Sequence, residues 1–428
     1  MMKIDPYKTM FGISDAVVEM ANEAMTTASS VFEKIEKTRE INQLRVLEAF
    51  RHARFAEAHL GATTGYGYDD IGREKIEEMY AELFGAEAAY VRIQVTCGTQ
   101  ILVACLFGIL KPGEEMLAVS GRPYDTLASA LGVNKEDDGF TGSLLDYGMK
   151  YNEVQLKEDG SPDLEAIRAA IRPETKVVFI QKSKGYTTRR CLRADDIKAV
   201  VDLVKGIRKD IIVFVDNCYG EFVETQEPCA LGADLCAGSL IKNAGGGLCP
   251  SGAYVAGRKD LVERVAERVT APGLGSHVGP SLGFNRDIAQ GLFMAPHIVA
   301  EAMKGAVFAS AMLSMAGCKC DPSFDSERGD IVQSVAFPNA EQMVNFCRMI
   351  QSCSPVDSYV SPEPWDMPGY DAQVVMAAGA FVQGASIELS ADGPVKPPFM
   401  VYMQGGLVFE QVKLAVMLAV SEMLKNKG

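Results

Sequence analysis

Histidine and tryptophan are scarce in this chain, with four histidines and one tryptophan among 428 residues. His52, His59, His277 and His297 form no HExxH or comparable pair, and the eleven cysteines include no CxxC. Cys318 and Cys320 flank a single lysine without the partner spacing of a zinc site, so metal chemistry is not expected. The cysteines are odd in number and scattered through apolar stretches, which reads as reduced thiols rather than a disulfide framework. Positive charge is also short, at 42 Lys plus Arg against 56 Asp plus Glu, a net charge of −14. That balance excludes nucleic acid or an anionic membrane surface as the main partner. The most apolar stretches, 101–110 and 306–316, are too short or too interrupted to cross a bilayer. The first residues show no apolar core flanked by basic residues, so no signal peptide is expected and the protein is read as cytoplasmic. Neither a GxGxxG nor a Walker sequence follows the first expected strand, which weighs against a nucleotide-binding enzyme.

What the chain does have is apolar residues at 48% and charged residues at 23%, the balance of a folded protein with two or three domains. Residues 13–59 carry helical periodicity without a proline, giving an N-terminal helical arm over 1–59. A glycine- and tyrosine-rich loop over 61–72 then leads into an amphipathic helix over 73–84. From residue 88 the pattern alternates: strands at 88–93, 116–120, 176–181, 211–215, 235–240 and 252–256, with helices at 99–110, 164–171 and 195–207. Short β-branched runs separated by long helices imply crossovers and a mainly parallel sheet buried on both faces. A large α/β domain is expected over 60–310, ending in a long apolar helical stretch over 285–317. A smaller α+β domain follows over 311–428, with strands at 374–382 and 386–390, helices at 340–350 and 410–424, and a proline-rich surface loop at 361–369.

Ligands of such sheets bind at the carboxyl ends of the strands. Four of those ends carry reactive or anion-binding residues. Thr96-Cys97-Gly98-Thr99-Gln100 opens a helix, where free backbone N–H groups and the helix dipole favour an anion. It is equally a plain helix cap. Asp216, at the end of the strand over 211–215, is either an Asx-turn residue or a carboxylate held against a cationic ring nitrogen. Lys242 sits among apolar and small residues and precedes a run of glycines. Burial there would lower its pKa and make a neutral amine available, unless it is an exposed loop lysine. Tyr124, after Pro123, either packs the loop or lays its ring over a planar cofactor. The order of anion turn, aromatic, acid and lysine is what pyridoxal phosphate requires.

Six stretches, HLGATTGYGYDDIGREKIEEMYAELFGAEAAYVR, SGRPYDTL, FVDNCYGEF, SLIKNAGGGLCPSGAYVAGR, IELSADGP and YMQGGLVFE, together resemble the aluminium resistance or methionine gamma-lyase-like family. That family belongs to the fold-type-I, aspartate-aminotransferase-like, pyridoxal-phosphate enzymes related to cystathionine lyases. The resemblance spans positions 59–410. It implies a carbon–sulfur lyase that removes an amino acid's α-proton and eliminates a β- or γ-substituent. Lys242 would be the Schiff-base lysine and proton shuttle, Asp216 the partner of the ring nitrogen, and Tyr124 the stacking ring. Cys97, Gly98 and Thr99 would hold the phosphate with Ser239, and Tyr66 or Tyr68 would reach the phosphate of a neighbouring subunit. A homo-oligomer, dimer or tetramer, follows from that sharing. Two positions depart from the family: Tyr66 is followed by Gly67 and Tyr68 rather than by an arginine, and the arginine for the substrate carboxylate is replaced within Gln404-Gly405-Gly406. Arg328, Arg189 and Arg190 are the candidate substitutes. Transamination, racemisation, aldol chemistry, or cofactor binding without turnover remain open alternatives.

Overall fold

The computed structural model describes residues 5–134, 139–366 and 372–425. The last three residues of the proline-rich stretch 361–369 lie outside them. The chain divides into two compact units, one of residues 41–296 and one of residues 1–40 and 297–428.

The 41–296 unit is built on seven strands: β1 (Ala88–Arg92), β2 (Glu115–Ala118), β3 (Lys150–Glu153), β4 (Thr175–Gln181), β5 (Ile212–Asp216), β6 (Leu235–Ser239) and β7 (Ala253–Gly257). Their order is β1-β7-β6-β5-β4-β2-β3. All pairs from β6 to β3 are parallel, and β7 runs antiparallel to both of its neighbours. The residues between β6 and β7 hold only a three-residue 3₁₀ turn, too little for a crossover, so the chain returns antiparallel. Because β7 reverses twice in the order, β1 runs with β6. The carboxyl ends of β1, β2, β4, β5 and β6 therefore share one edge. The buried strands are continuous apolar runs, Val177-Val178-Phe179-Ile180 and Ile212-Val213-Phe214-Val215. One face packs helix Gly98–Ile109 through Ile101, Leu102, Cys105 and Leu106 onto Val177, Phe179, Phe214 and Val255. β3, with the polar sequence Lys-Tyr-Asn-Glu, has no counterpart among the expected strands; as an edge strand it stays half exposed and needs no apolar run.

The second unit carries an antiparallel sheet in the order β10-β11-β12-β9-β8, from β8 (Lys319–Asp321), β9 (Gln333–Ala336), β10 (Val374–Ala377), β11 (Ser390–Pro394) and β12 (Met400–Gln404). Helices Ala340–Ser352 and Phe409–Lys425 cover it through Met343, Phe346, Val412 and Val416. Val17, Val18, Ala21 and Ala24 of helix Asp15–Thr27 enter the same core. The unit boundaries thus fall at 40/41 and 296/297, against the expected 59/60 and 310/311. The second of them lies at Pro296, inside the single helix Asn285–Met315. That helix is long and apolar enough to cross a membrane by composition, and 78% of its most apolar window is buried in the protein, as in a core helix. The strand expected at 386–390 is a turn instead: the Glu388 carboxylate accepts the amides of Phe381 and Val382 at 2.8 Å each, and pairing begins only at Ser390.

The outer end of β1 is fixed by a buried ion pair. Arg92 is closed off from solvent, bonds Glu77 of helix Ile71–Phe84, donates to the Ser276 carbonyl at 3.0 Å, and lies 4.0 Å over the Tyr90 ring. The same Glu77 oxygen accepts the Val91 amide at 2.9 Å. Removing one partner of a buried pair leaves an uncompensated charge. Glu77→Ala should therefore lower unfolding free energy by about 3–5 kcal/mol in denaturant titration.

Candidate active site

Lys242 follows the end of β6. Its amide donates to the Ser239 carbonyl at 3.3 Å, and the chain then turns sharply through Asn243–Gly245. Glycine is required in that turn: a Cβ on Gly245 would lie 1.7 Å from the Leu240 carbonyl oxygen. The turn leaves the lysine side chain mostly buried, with Nζ 4.1 Å from the centroid of the Tyr219 ring, a cation–π contact. Tyr219 reaches that position from a left-handed backbone, φ 69°, three residues past Asp216. The sequence reading passed over Tyr219; an aromatic just past an acid at a strand end is the signal that marks it.

Asp216 closes β5 and is buried. One carboxylate oxygen accepts the Cys218 amide at 3.1 Å, and its carbonyl accepts the Lys182 amide at 3.1 Å. Burial raises the carboxyl pKa, while Lys242, the Cys218 amide and Arg189 oppose the rise. For Lys242, burial works to lower the pKa, but the field of Cys218, Tyr219, Tyr124 and Asp216 outweighs it and lifts the ammonium well above its ordinary value. Burial also pushes the Cys218 thiol and the Tyr124 phenol up, so both keep their protons at neutral pH. Asp216 is the carboxyl among the groups that lift Lys242. The expected lowering of the lysine pKa by burial is thus corrected: the acidic groups around it, Cys218 first and Asp216 among them, reverse its sign.

Helix Gly98–Ile109 begins beside this pair. Cys97 precedes it in extended backbone, exposed and without a side-chain cap, so the first-turn amides have no intrahelical partner. A Cβ on Gly98 would stand 3.4 Å from Cys218 Sγ and 3.5 Å from Ser239 Cβ, which places the helix start against the ends of β5 and β6. Thr99 Oγ1 lies 2.9 Å from the Tyr124 hydroxyl and 3.2 Å from Thr126 Oγ1. The Tyr124 amide donates to Gln181 Oε1 at 3.0 Å, tying the tyrosine to the end of β4. Cys97, Gly98, Thr99, Tyr124, Asp216, Ser239 and Lys242 thus gather at one edge of one sheet.

Tyr66 and Tyr68 are a separate feature. Both rings are exposed and stack on each other with centroids 5.3 Å apart. Their loop is held to the 279–282 segment by the Gly279 amide on the Tyr66 carbonyl at 2.9 Å and the Leu282 amide on the Thr63 carbonyl at 3.1 Å. Gly67 has φ 65°, and a Cβ there would meet Pro280 Cα at 2.5 Å. Below the loop, burial of Asp70 is overcome by hydrogen bonds from Ser281, Thr63, the Arg73 amide and Asn285, which hold its carboxyl at about 2. Of the three arginines, Arg190 is paired with Asp196 through two bonds at 2.7 and 2.8 Å. Arg189 donates to the carbonyls of Gln181, Ser183 and Arg190, and its charge reaches Asp216. Arg328 belongs to the other unit and donates to Gln333 Oε1 at 2.6 Å.

The family model for methionine gamma-lyase matches residues 17–424. The uncharacterized protein YnbB of Bacillus subtilis (strain 168) is 47% identical over 95% of this chain and 96% of that one. A solved structure described as a carbon-sulfur lyase involved in aluminium resistance, from Clostridium novyi NT, is 47% identical, covers 99% of both chains and superposes with a TM-score of 0.94. The fold extends to the pyridoxal-5'-phosphate dependent protein YhfS of Escherichia coli, at 16% identity over 92% of this chain and 97% of that one, with a TM-score of 0.61. With its α/β architecture, its mainly parallel seven-stranded sheet and a match over nearly all its length, the chain belongs to the methionine gamma-lyase family, the aluminium resistance group among it.

Proposed function

We propose that this chain is a cytoplasmic pyridoxal-phosphate enzyme of fold type I, a carbon–sulfur lyase that acts on an amino acid by α-proton removal and β- or γ-elimination. The observation that carries the reading is the buried Lys242 amine sharing its field with the Asp216 carboxyl beside an open helix start. The residues fit the cofactor: first-turn amides at 98 and 99 suit a phosphate, a buried carboxyl suits a ring nitrogen, and a buried amine suits a carbonyl. When bound, pyridoxal phosphate supplies an electron sink for the carbon that loses its proton.

The protein's own residues do the rest. Lys242 would take the proton from the substrate's α-carbon. Asp216 holds a proton on the ring nitrogen, and Arg189 helps keep that carboxylate ionised. Tyr124 keeps its phenolic proton at neutral pH and so can deliver it to a departing sulfur, with Thr99 orienting the hydroxyl. Ser239, Cys97, Gly98 and Thr99 line the phosphate end. Tyr66 and Tyr68, exposed on their loop, complete the site of a second copy in a homo-oligomer, dimer or tetramer. Arg190 bridges Asp196, and Arg189, whose charge reaches Asp216, is the candidate for the substrate carboxylate within this unit.

Borohydride treatment of the protein loaded with pyridoxal phosphate should bleach a yellow band and leave a pyridoxyl group on Lys242 by mass mapping. An unmodified lysine would remove the cofactor from the reading. Sulfur amino acids should yield thiol, ammonia and a keto acid; a reaction that runs only with an added keto-acid acceptor would identify a transaminase instead. Lys242→Ala should lose roughly 10²–10⁴-fold or more in rate.

The raised Lys242 pKa has a definite sign. Only the neutral amine captures an aldehyde, so cofactor loading should speed up from pH 7 to 9. Asp216→Asn removes the counter-charge, lowers the ammonium pKa and should load faster at pH 7, while its turnover falls. Slower loading by this variant would contradict the Lys242–Asp216 charge coupling.

A further inference from the structure

Five polar side chains with no assigned role lie fully buried behind the site: Asn217, Glu221, Glu227, Asn243 and Tyr254. They form one continuous chain of hydrogen bonds. Glu227 accepts from Asn217 Nδ2 at 2.8 Å and from the Phe222 amide at 2.9 Å. Asn217 Nδ2 also reaches the Tyr254 hydroxyl at 3.4 Å, that hydroxyl donates to Glu221 Oε1 at 2.8 Å, and the Glu221 carbonyl accepts from Asn243 Nδ2 at 3.1 Å. Asn217 is the residue after Asp216, and Asn243 is the residue after Lys242. The chain therefore runs from one site residue's neighbour to the other's.

Apolar side chains would fill this volume at lower cost, since buried carboxyls and amides must all be satisfied. The sequence also gives up a side chain for it. A Cβ on Gly238 in β6, one residue before Ser239, would lie 2.5 Å from Glu221 Oε1 and 2.8 Å from the Tyr254 hydroxyl. The bond passes over the strand that delivers Lys242.

We propose that the Glu227–Asn217–Tyr254–Glu221–Asn243 chain is a positioning device that fixes Asp216 relative to Lys242. Its significance rests on the cofactor reading above; its existence does not. The network also has room for a proton. Asn217 Oδ1, Glu221 Oε2 and Asn243 Oδ1 accept no hydrogen bond from the described residues. Burial raises the Glu221 carboxyl to about 8, with the Tyr254 bond and Lys242 opposing and Glu227 reinforcing the rise. Tyr80, Cys218 and Cys236 also face this group, and burial holds all three neutral. Glu221 is thus neutral at pH 7 and gains a charge as pH passes 8. That charge deepens the field on Lys242.

The test is competitive acylation of the full-length protein with acetic anhydride, with Lys242 read against exposed lysines by mass spectrometry from pH 7 to 10. The same variants are titrated with pyridoxal phosphate. Tyr254→Phe breaks the chain at its centre and should change Lys242 reactivity at fixed pH by the equivalent of half a pKa unit, about threefold or more. It should also weaken cofactor binding by about fivefold or more, roughly the loss of one hydrogen bond. Glu221→Gln mimics the neutral carboxyl, so it should bind cofactor as the parent does. Its Lys242 reactivity should keep climbing above pH 8, where the parent's rise slows. If both variants label and bind as the parent does, the network is core packing and the proposal is overturned. Should Tyr254→Phe fail to fold, the isosteric Glu221→Gln decides alone through its profile above pH 8. Acylation needs no cofactor, so a protein in which borohydride leaves Lys242 unmodified would refute the proposed function while this inference is still settled by the labelling.

Discussion

A buried ammonium cannot stand alone. Removing Lys242 from water without compensation would drive its proton off, and the acidic groups around it, Cys218, Tyr219, Tyr124 and Asp216, oppose that loss. The local architecture brings Lys242 and Asp216 to one edge of the sheet. Asp216 ends β5 and Lys242 stands three residues past the end of its parallel neighbour β6, so strand register and a short turn together set their separation. The glycines at 245 and 246 let the chain turn away at once, because any Cβ there would collide with backbone oxygens of Leu240 and Gly291. Tyr219 accepts a left-handed backbone to lie against the amine. A site built on sheet strands holds its geometry better than one built on loops, which suits chemistry that moves a single proton.

Much of this was legible in the sequence because buried parallel strands advertise themselves. Val177-Val178-Phe179-Ile180 and Ile212-Val213-Phe214-Val215 mark two strands without ambiguity, and the residues just past such runs define the functional edge. The elements that escaped carry the opposite signature. β11 reads Ser-Ala-Asp-Gly-Pro, a turn by composition, and is a strand only because β10 and β12 pair with it on both sides. Gly393 is demanded there by the Met400 carbonyl oxygen, 2.2 Å from where a Cβ would stand. That is a tertiary requirement with no local trace. The N-terminal helices were equally visible as helices, yet nothing in their periodicity says that Val17 and Ala24 share a core with Val412 and Val416, some 390 residues away.

The side-chain roles divide along the same line. Lys242 and Asp216 could be found as odd residues in apolar settings, but the direction of the lysine pKa could not, because it depends on Cys218, Tyr219, Tyr124 and Asp216, all distant in sequence. Arg189 and Arg190 are adjacent and chemically identical, and only the structure separates them. Arg190 forms a two-pronged bridge to Asp196, whereas Arg189 ties together the carbonyls at the end of β4 within electrostatic reach of Asp216. Thr99 illustrates a further gap: a threonine at a helix start suggests an anion ligand, and here its hydroxyl is engaged with Tyr124.

Two carboxyls on either side of the same strands show how far environment decides chemistry. Asp216 and Glu221 are both buried, and burial raises both. Asp216 accepts a backbone amide and lies in the field of a lysine and an arginine, which oppose the rise. Glu221 lies in the field of another carboxylate, Glu227, which reinforces burial, so its neutral form is favoured instead. One acid stands in the field of an amine, and the other keeps its proton at neutral pH. Exchanging those roles would put an unpaired carboxylate under β6 and a neutral group beside Lys242. The placement of Gly238 between them is what allows Glu221 and Tyr254 to meet without disturbing the strand that carries the lysine.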